Sequence, residues 1–389
     1  MRSTMQGIPR FASSPARNVR RGKQGWVTRA LLAVALTAAV PALGWADPGM
    51  RAKTRNTPFV FGPALLFEVD DIDSSAFEKA ALDGARSFSA LNGVPVTPYT
   101  PGGVAQRAQG ADDNERFRAV AQAAVQAGHP VVVGVGYAFS AIFDSLAPLY
   151  PNVRFIMLDD AVQQPNVESL LFREEEGAYL VGALAALATR SGRLGFVGGR
   201  DIALIRKFGC AFMQGARDQR PDVSVAWRMT GTTSLAWFDP TRGARLAREL
   251  VAGGADVIFH AAGQTGDGVI QATTGAGRLA IGVDVNQNGQ APGRVLTSML
   301  KRTDIAVFLA LKDLSEGHWT PGVRRLGLRE GAVDWALDEN NIPLIPEDWQ
   351  DTLDRLRFAI LAGQVRVANY EQEGRCAFAD FGPLPPATE

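Results

Sequence analysis

The 389-residue sequence carries 40 basic and 40 acidic side chains, so its formal net charge at pH 7 is zero. The first 46 residues contain seven of the basic side chains and no acidic one, which leaves 33 basic and 40 acidic side chains downstream. This acidic excess argues against a nucleic-acid binder that relies on general positive charge. The composition, 46% hydrophobic and 21% charged, is globular and disfavours disordered, collagen-like and multi-span membrane classes. The 343 residues after residue 46 suffice for two ordinary domains.

Residues 1–46 have the pattern of a secretory signal peptide. A basic segment, 20–29, precedes a 14-residue apolar run, 30–43, and the small residue Ala46 ends the leader. The run is shorter than the roughly 20 residues of a bilayer crossing, which argues against an uncleaved membrane anchor. No cysteine near the exit could carry a lipid, and the Arg20–Arg21 pair lies too far from the apolar run to favour a twin-arginine signal. We therefore expect cleavage after Ala46 and a soluble periplasmic product.

The sequence predicts no metal, cofactor or histidine-based catalytic site. Its two cysteines, Cys210 and Cys376, could pair in an oxidising compartment. Two cysteines so far apart in a large domain are more often unpaired, so both alternatives stay open. Neither cysteine has a metal-ligand spacing around it, and His129, His260 and His318 are scattered.

Apolar runs alternate with segments of helical periodicity along most of the chain. In chain order the predicted elements are strand 64–69, helix 75–91, helix 117–127, strand 130–135, helix 141–150, strand 153–158, helix 177–189, strand 193–197, helix 207–217, strand 223–229, helix 240–253, strand 256–260, helix 266–273 and strand 279–283. Such alternation predicts an α/β fold with parallel sheets flanked by helices on both faces. In such sheets, ligands bind at the carboxyl ends of the strands.

The residues just past the predicted strand ends indicate recognition rather than catalysis. They mix carboxylates, glycines and one aromatic residue: 70–73, Gly136, Tyr137, Asp159, Asp160, Gly198, Gly199, 261–263 and Asp284. None places a nucleophile beside a base. The turn at 263–268 superficially resembles a phosphate-binding glycine loop, but it has neither the Walker spacing nor the dinucleotide fingerprint. A structural strand-to-helix turn is the better interpretation.

A series of short stretches between residues 61 and 369 resembles the basic membrane protein family, the PnrA-like nucleoside-binding proteins of ABC importers. The stretches are GVGY at 134–137, YPNVRF at 150–155, FREEEGAYLVG at 172–182, WFDP at 237–240, GADVIF at 254–259, AAG at 261–263, IGVD at 281–284 and TSMLKR at 297–302. Their order and coverage make the resemblance fairly specific.

The resemblance implies a type I periplasmic binding protein, with two Rossmann-like lobes joined by crossovers and closing on a small-molecule ligand. The expected lobes are discontinuous, with 47–172 and 285–322 in lobe 1 and 173–284 and 323–389 in lobe 2. The hinge is expected near Arg173, near 283–284 and near 321–326. A separate permease and ATPase would be the partners, the binding protein would be a monomer, and no nucleic acid is implied.

The resemblance also implies roles for particular residues. Phe77 and Phe208 would stack on the two sides of a base, since such stacking contributes roughly 1–3 kcal/mol. Asp284 would accept two ribose hydroxyls, Lys301 would meet the same sugar, and Gly263 would let the backbone approach the ligand. Each has a structural alternative: a core position for either phenylalanine, a turn cap for Asp284 and a solvated strand end for Lys301.

The chain also departs from the family pattern near the expected base. Asp73 and Ser74 replace an Asn-Asp pair before the first aromatic residue, and Ala141 replaces a carboxylate four residues beyond Tyr137. We therefore expect an altered base preference, with weaker discrimination among purine nucleosides. Two other functions remain alternatives: a sensing module that docks on a signalling receptor, and a nucleoside-processing enzyme. The enzyme is disfavoured because no acid or base set can be assembled.

Overall fold

A computed structural model describes residues 62–104 and 113–386, so the predicted signal peptide and its cleavage site lie outside the described residues. The strands are β1 Ala64–Leu66, β2 Thr97–Tyr99, β3 Val131–Gly134, β4 Arg154–Leu158, β5 Val167–Phe172, β6 Arg193–Arg200, β7 Ser224–Gly231, β8 Val257–Ala261, β9 Leu279–Asp284, β10 Val295–Lys301, β11 Gly322–Leu326 and β12 Val333–Trp335. The helices are α1 Ala76–Asn92, α2 Pro101–Val104, α3 Asp113–Gln126, α4 Ser140–Leu146, α5 Glu174–Ala188, α6 Ala203–Gln219, α7 Pro240–Ala252, α8 Thr265–Gly275, α9 Thr303–Ser315, α10 Glu347–Leu361 and α11 Tyr370–Glu373.

The strands form two six-stranded sheets, one in each lobe. The first has the order β11-β5-β4-β3-β1-β2 and is parallel throughout. The second has the order β12-β10-β9-β8-β6-β7, and only its β10–β12 pair is antiparallel. The predicted α/β class with parallel sheets is confirmed.

The chain crosses between the sheets three times. The crossovers follow β5 near Arg173, as expected, then β10 at Arg302, and then β11 on the way to β12. The expected crossover at 283–284 is wrong, because β10 pairs in parallel with β9 and buries nearly all of its side chains inside the second sheet. Residues 295–302 therefore belong to lobe 2.

The expected lobe boundary at 322–323 also needs correction. Residues 322–326 are the edge strand β11 of the first sheet, hydrogen-bonded to β5. The assignment of 323–326 to lobe 2 is therefore wrong, and the third crossover follows Leu326. The antiparallel strand β12 lies at an edge of the second sheet, where it covers β10.

Helices α5 and α6 pack face to face because glycines remove the side chains between them. A Cβ on Gly182 would lie 2.2 Å from the carbonyl oxygen of Phe212, and a Cβ on Gly215 would lie 2.0 Å from that of Tyr179. The small-residue character of the predicted helix 177–189 thus reflects close backbone approach. This contact fixes α6 on the second lobe.

The C-terminal segment is tied to the first turns of α6. Arg206, 1% exposed, donates hydrogen bonds to Asp201, to the Tyr370 hydroxyl and to the carbonyl oxygens of Gly382 and Pro383. The next residue along the helix, Lys207, forms ion pairs with Glu174 and Glu371.

A disulfide between Cys210 and Cys376 adds a covalent bond to this attachment. Of the two alternatives that the sequence left open, the structure shows the paired one. The folded chain brings their Cα atoms to 5.7 Å although 166 residues separate them in the sequence, a proximity that sequence spacing does not reveal.

Within the part of the chain that the structure describes, no helix combines the length and apolar character needed to cross a membrane.

Candidate functional site

A cleft lies between the two lobes, at the carboxyl ends of strands from both sheets. This is the position that the sequence predicts for a ligand site in parallel sheets. The lining residues are Glu68, Ser75, Phe77, Glu78, Gly136, Tyr137, Asp159, Leu204, Ile205, Phe208, Trp237, Phe238, 261–264, Val283, Asp284 and Lys301.

Six of the eight predicted ligand-binding residues line this cleft: Phe77, Tyr137, Phe208, Gly263, Asp284 and Lys301. The other two, Asp73 and Ser74, lie outside its lining and border the adjoining pocket at the start of α1. Gln264 of lobe 2 donates to the hydroxyl and the carbonyl oxygen of Ser74, at 2.7 and 2.9 Å, so Ser74 joins the lobes at the mouth. Ala141, the position of the missing carboxylate, is exposed and does not line the cleft.

Aromatic side chains enter the cleft from both lobes. Phe77 comes from α1 and Tyr137 from the turn after β3, whereas Phe208 comes from α6 and Trp237 from the segment before α7. The Tyr137 hydroxyl lies 3.4 Å from the Trp237 indole nitrogen and 3.2 Å from an Arg200 nitrogen. These contacts join lobe 1 to lobe 2. The sequence stretch WFDP contained Trp237, but its role was not predicted.

Lys301, at the end of β10, is held in a buried ion-pair network. Its ammonium nitrogen lies 2.6 Å from Asp159 of lobe 1 and 3.0 Å from Glu174, the first residue of α5. It also lies about 5 Å from the ring centres of Phe77 and Phe172. Burial alone would lower the pKa of Lys301, but the two carboxylates outweigh burial and raise it. Lys301 is therefore charged, and its burial excludes the structural alternative of a solvated strand-end lysine.

Two cleft carboxyls were missed by the sequence reasoning. Glu68 follows β1, which ends at Leu66 rather than at residue 69, and Ala138 donates a backbone N–H to it at 3.1 Å. Glu78 lies in the first turn of α1, is 7% exposed and accepts a hydrogen bond from the Ser75 hydroxyl. The sequence reasoning missed Glu68 because it falls within the predicted strand 64–69, and it missed Glu78 because it falls within the predicted helix 75–91.

Asp159 and Asp284 share an uncommon backbone conformation. They are the two non-glycine residues with positive φ in the described part of the chain, at 74° and 66°. Aspartate tolerates this region better than most side chains. Each follows or ends a strand, β4 and β9 respectively, and each lines the cleft. Such conformations concentrate at functional sites, which supports a ligand-binding role over a simple turn cap.

The family described as ABC transporter substrate-binding protein, PnrA-like, matches residues 63–364. The chain belongs to this family. It is therefore a PnrA-like protein. The family consists of substrate-binding proteins and not of enzymes.

Relatives and solved structures agree with the membership. The ABC transporter nucleoside-binding protein BmpA of Lactococcus lactis is 25% identical over 78% of this chain and 88% of its own length. The CD4+ T-cell-stimulating antigen of Listeria innocua is 27% identical over 79% of this chain and 88% of its own. A crystal structure of an ABC transporter solute-binding protein from Aeropyrum pernix superposes with a TM-score of 0.68, at 26% identity over 79% of this chain and 93% of that one.

The cleft of this PnrA-like protein strongly perturbs its carboxyl groups. Burial raises the pKa of Glu68 to about 7, and burial together with the charge of Glu68 raises the pKa of Glu78 to about 8. Burial raises the pKa of Asp284 to about 6 although Lys301 acts in the opposite direction. Glu174 differs, since burial is outweighed by Lys207 and Lys301 and its pKa is lowered. Three cleft carboxyls therefore change their charge near neutral pH.

Proposed function

We propose that this PnrA-like protein is the exported, periplasmic substrate-binding component of an ABC importer, and that its lobes close on a nucleoside. The observation that carries the proposal is the placement of Asp284. It ends β9, lines the cleft, and lies in the same cleft as the aromatic residues Phe77 and Phe208. Lys301, Asp159 and Glu174 act on its carboxyl through space rather than by a hydrogen bond, which leaves its oxygens for a ligand.

The chemistry of the cleft suits a nucleoside. A carboxylate accepts two hydroxyl protons at once, as a vicinal diol requires. Phenylalanine rings on α1 and α6 offer apolar faces to a planar base, one from each lobe. Lys301 assists indirectly in this arrangement, because Asp159 and Glu174 hold its ammonium group near Asp284.

Contacts across the cleft support closure about the ligand. Lys301 with Asp159, Arg200 with Tyr137, and Gln264 with Ser74 each join one lobe to the other. Opening the lobes about the three crossovers would break all of these contacts, as in hinge closure of periplasmic binding proteins. A bound ligand that touches both lobes would favour the closed form by its differential affinity.

The experiment is a thermal-shift and calorimetric panel of nucleosides, bases, sugars and amino acids on the exported protein. A nucleoside at one hundred times its dissociation constant adds about 2.7 kcal/mol to stability, a shift of about 4 °C for a folded region of this size. The Asp284→Asn variant should lose at least tenfold in nucleoside affinity, whereas Asp351→Asn on the exposed face of α10 should lose none. A protein stabilised by sugars or amino acids and by no nucleoside or base would contradict the proposal.

A further inference from the structure

The cleft has a large excess of carboxyl groups over cations. Glu68, Glu78, Asp159 and Asp284 line it, whereas Lys301 is the single cation among the described lining residues. Asp159 and the adjoining Glu174 already pair with that lysine. Lys301 is therefore neutralised locally. Arg200, which lies outside the lining, acts on Glu68, whereas the main charges that act on Glu78 are the carboxylates Glu68, Asp284 and Asp159.

Two of the cleft carboxyl groups, those of Glu78 and Asp159, are buried. Glu78 is 7% exposed, and the Asp159 side chain is also 7% exposed. The Asp159 Oδ1 atom is buried and has no hydrogen-bond partner among the described residues, although the side chain lines the cleft. Burying ionised carboxylates without a counter-charge is unfavourable, so they bind a proton or a cation instead. A ligand that supplies a positive charge removes the repulsion among them.

The aromatic faces of the cleft already accommodate positive charge. The Lys301 ammonium lies 5.1 Å from the centre of the Phe77 ring, and the Arg200 guanidinium carbon lies 6.0 Å from that of Tyr137. Phe208 and Trp237 contribute further ring surface on the other lobe. Aromatic faces attract cations, so a flat cationic ring would gain from stacking and from charge together.

We propose that the ligand is a nucleoside whose ring carries a positive charge, such as a pyridinium or N-methylated purinium nucleoside, with the ring near Glu68 and Glu78. This inference rests on the proposed nucleoside-binding function and specifies its substrate class. The diol meets Asp284 on lobe 2, and the charged ring lies toward the carboxyls of β1 and α1 on lobe 1. In this pose the ring meets Glu68 and Glu78, whereas Asp73, Ser74 and Ala141, where the chain departs from the family pattern, lie outside the cleft lining.

The test compares ligands that differ in charge and hardly in shape. Nicotinamide riboside has a permanent pyridinium charge, and its 1,4-dihydro form is neutral. We expect calorimetry on the wild-type protein at pH 8.5, where Glu68 and Glu78 are ionised, to show that nicotinamide riboside binds at least tenfold more tightly than its dihydro form. Equal or tighter binding of the neutral partner overturns the inference while leaving nucleoside binding intact, whereas binding of no nucleoside at all overturns the proposed function itself.

Variants of Glu68 and Glu78 test whether these two residues cause the preference for the charged ligand. Glu68→Gln and Glu78→Gln keep the shape and remove the charge, so each should weaken nicotinamide riboside at least tenfold while changing the affinity for its dihydro form less than threefold. The control Glu347→Gln alters an exposed glutamate of α10 outside the cleft and should change neither affinity. A parallel loss for both ligands would assign these glutamates a structural role and overturn the inference.

The pH dependence has a definite sign. The charges of Glu68, Asp284 and Asp159 act on Glu78, and those of Asp159, Arg200 and Asp113 act on Glu68. A cation of fixed charge binds their ionised forms, whose fraction falls as pH drops below 8, and apparent affinity falls with that fraction. Nicotinamide riboside should therefore bind at least tenfold more tightly at pH 8.5 than at pH 6 and release protons on binding. Tighter binding at pH 6 would overturn the inference.

Discussion

Replacing Lys301 with methionine should destabilise the protein strongly, because it leaves buried carboxylates without their cation. The Lys301 side chain is 4% exposed and lies between Asp159, 7% exposed, and Glu174, 1% exposed. Breaking a buried ion pair by removing one partner costs about 3–5 kcal/mol. A folded region of roughly 320 residues loses about 1.5 °C of melting temperature per kcal/mol, so we expect a decrease of about 5–8 °C at pH 7.

The loss of stability in the Lys301→Met variant should be larger at high pH than at low pH. Without the ammonium group, the pKa of Asp159 in the folded state rises further above its unfolded value of about 3.9. Between those two pKa values the folded state binds more protons than the unfolded state, so the stability of the variant increases as the pH falls. Lys301 of the wild-type protein stays charged over this range. The difference between the two proteins should therefore be smaller at pH 5 than at pH 8.

Differential scanning calorimetry of the ligand-free proteins at pH 5, 7 and 8 measures both effects. The Lys312→Met variant is the matched control, since Lys312 pairs with Glu316 on the exposed face of α9 and such pairs contribute less than about 1 kcal/mol. The double variant Lys301→Met/Asp159→Asn should recover part of the loss. A Lys301→Met decrease as small as that of the control, or one that is equal at all three pH values, would refute the reasoning.

Three further predictions concern other parts of the chain. Asp284→Ala should weaken a ribosyl ligand at least tenfold by calorimetry and the corresponding free base far less, because lost hydrogen bonds to a charged acceptor cost roughly 1.5–3 kcal/mol each; equal losses would show that Asp284 does not contact the sugar. Cys376→Ser should lower stability by up to about 5 kcal/mol from chain entropy alone, measured by calorimetry against the oxidised wild-type protein; an unchanged melting temperature would contradict this. N-terminal sequencing of the exported protein should find residue 47 first, and a chain that begins at Met1 would exclude cleavage after Ala46.

The alternation of apolar runs with segments of helical periodicity was sufficient to predict the α/β fold with parallel sheets. Apolar runs such as 153–158 and 279–283 become the buried strands β4 and β9, and the residues after them reach the cleft. Parallel sheets bring the carboxyl ends of their strands to one edge, so Asp159 and Asp284 approach each other although they are distant in the sequence. Fold class and the position of the site follow from periodicity and this rule.

The errors all concern long-range pairing or exact element ends. Strand β10 continues the second sheet because β9 offers it an unpaired edge, and no local pattern states which sheet an apolar run joins. Strand β1 ends two residues before Glu68, so a residue predicted to lie inside a strand is instead a cleft carboxyl. A glutamate within an otherwise apolar run was the available signal, since an unpaired buried carboxylate is unfavourable in a strand.

The Cys210–Cys376 bond has a consequence for the order in which the protein matures. If the chain is exported as proposed and enters the oxidising compartment N-terminus first, Cys210 and the whole of α6 arrive before the 166 residues that lead to Cys376. During that interval Cys210 would be a thiol without its partner, and any mixed disulfide that it formed would have to be resolved by thiol–disulfide exchange. The disulfide would then form late in the maturation of the protein. The helix α6, which carries Phe208 at the cleft, would receive its covalent bond only after the end of the chain arrives.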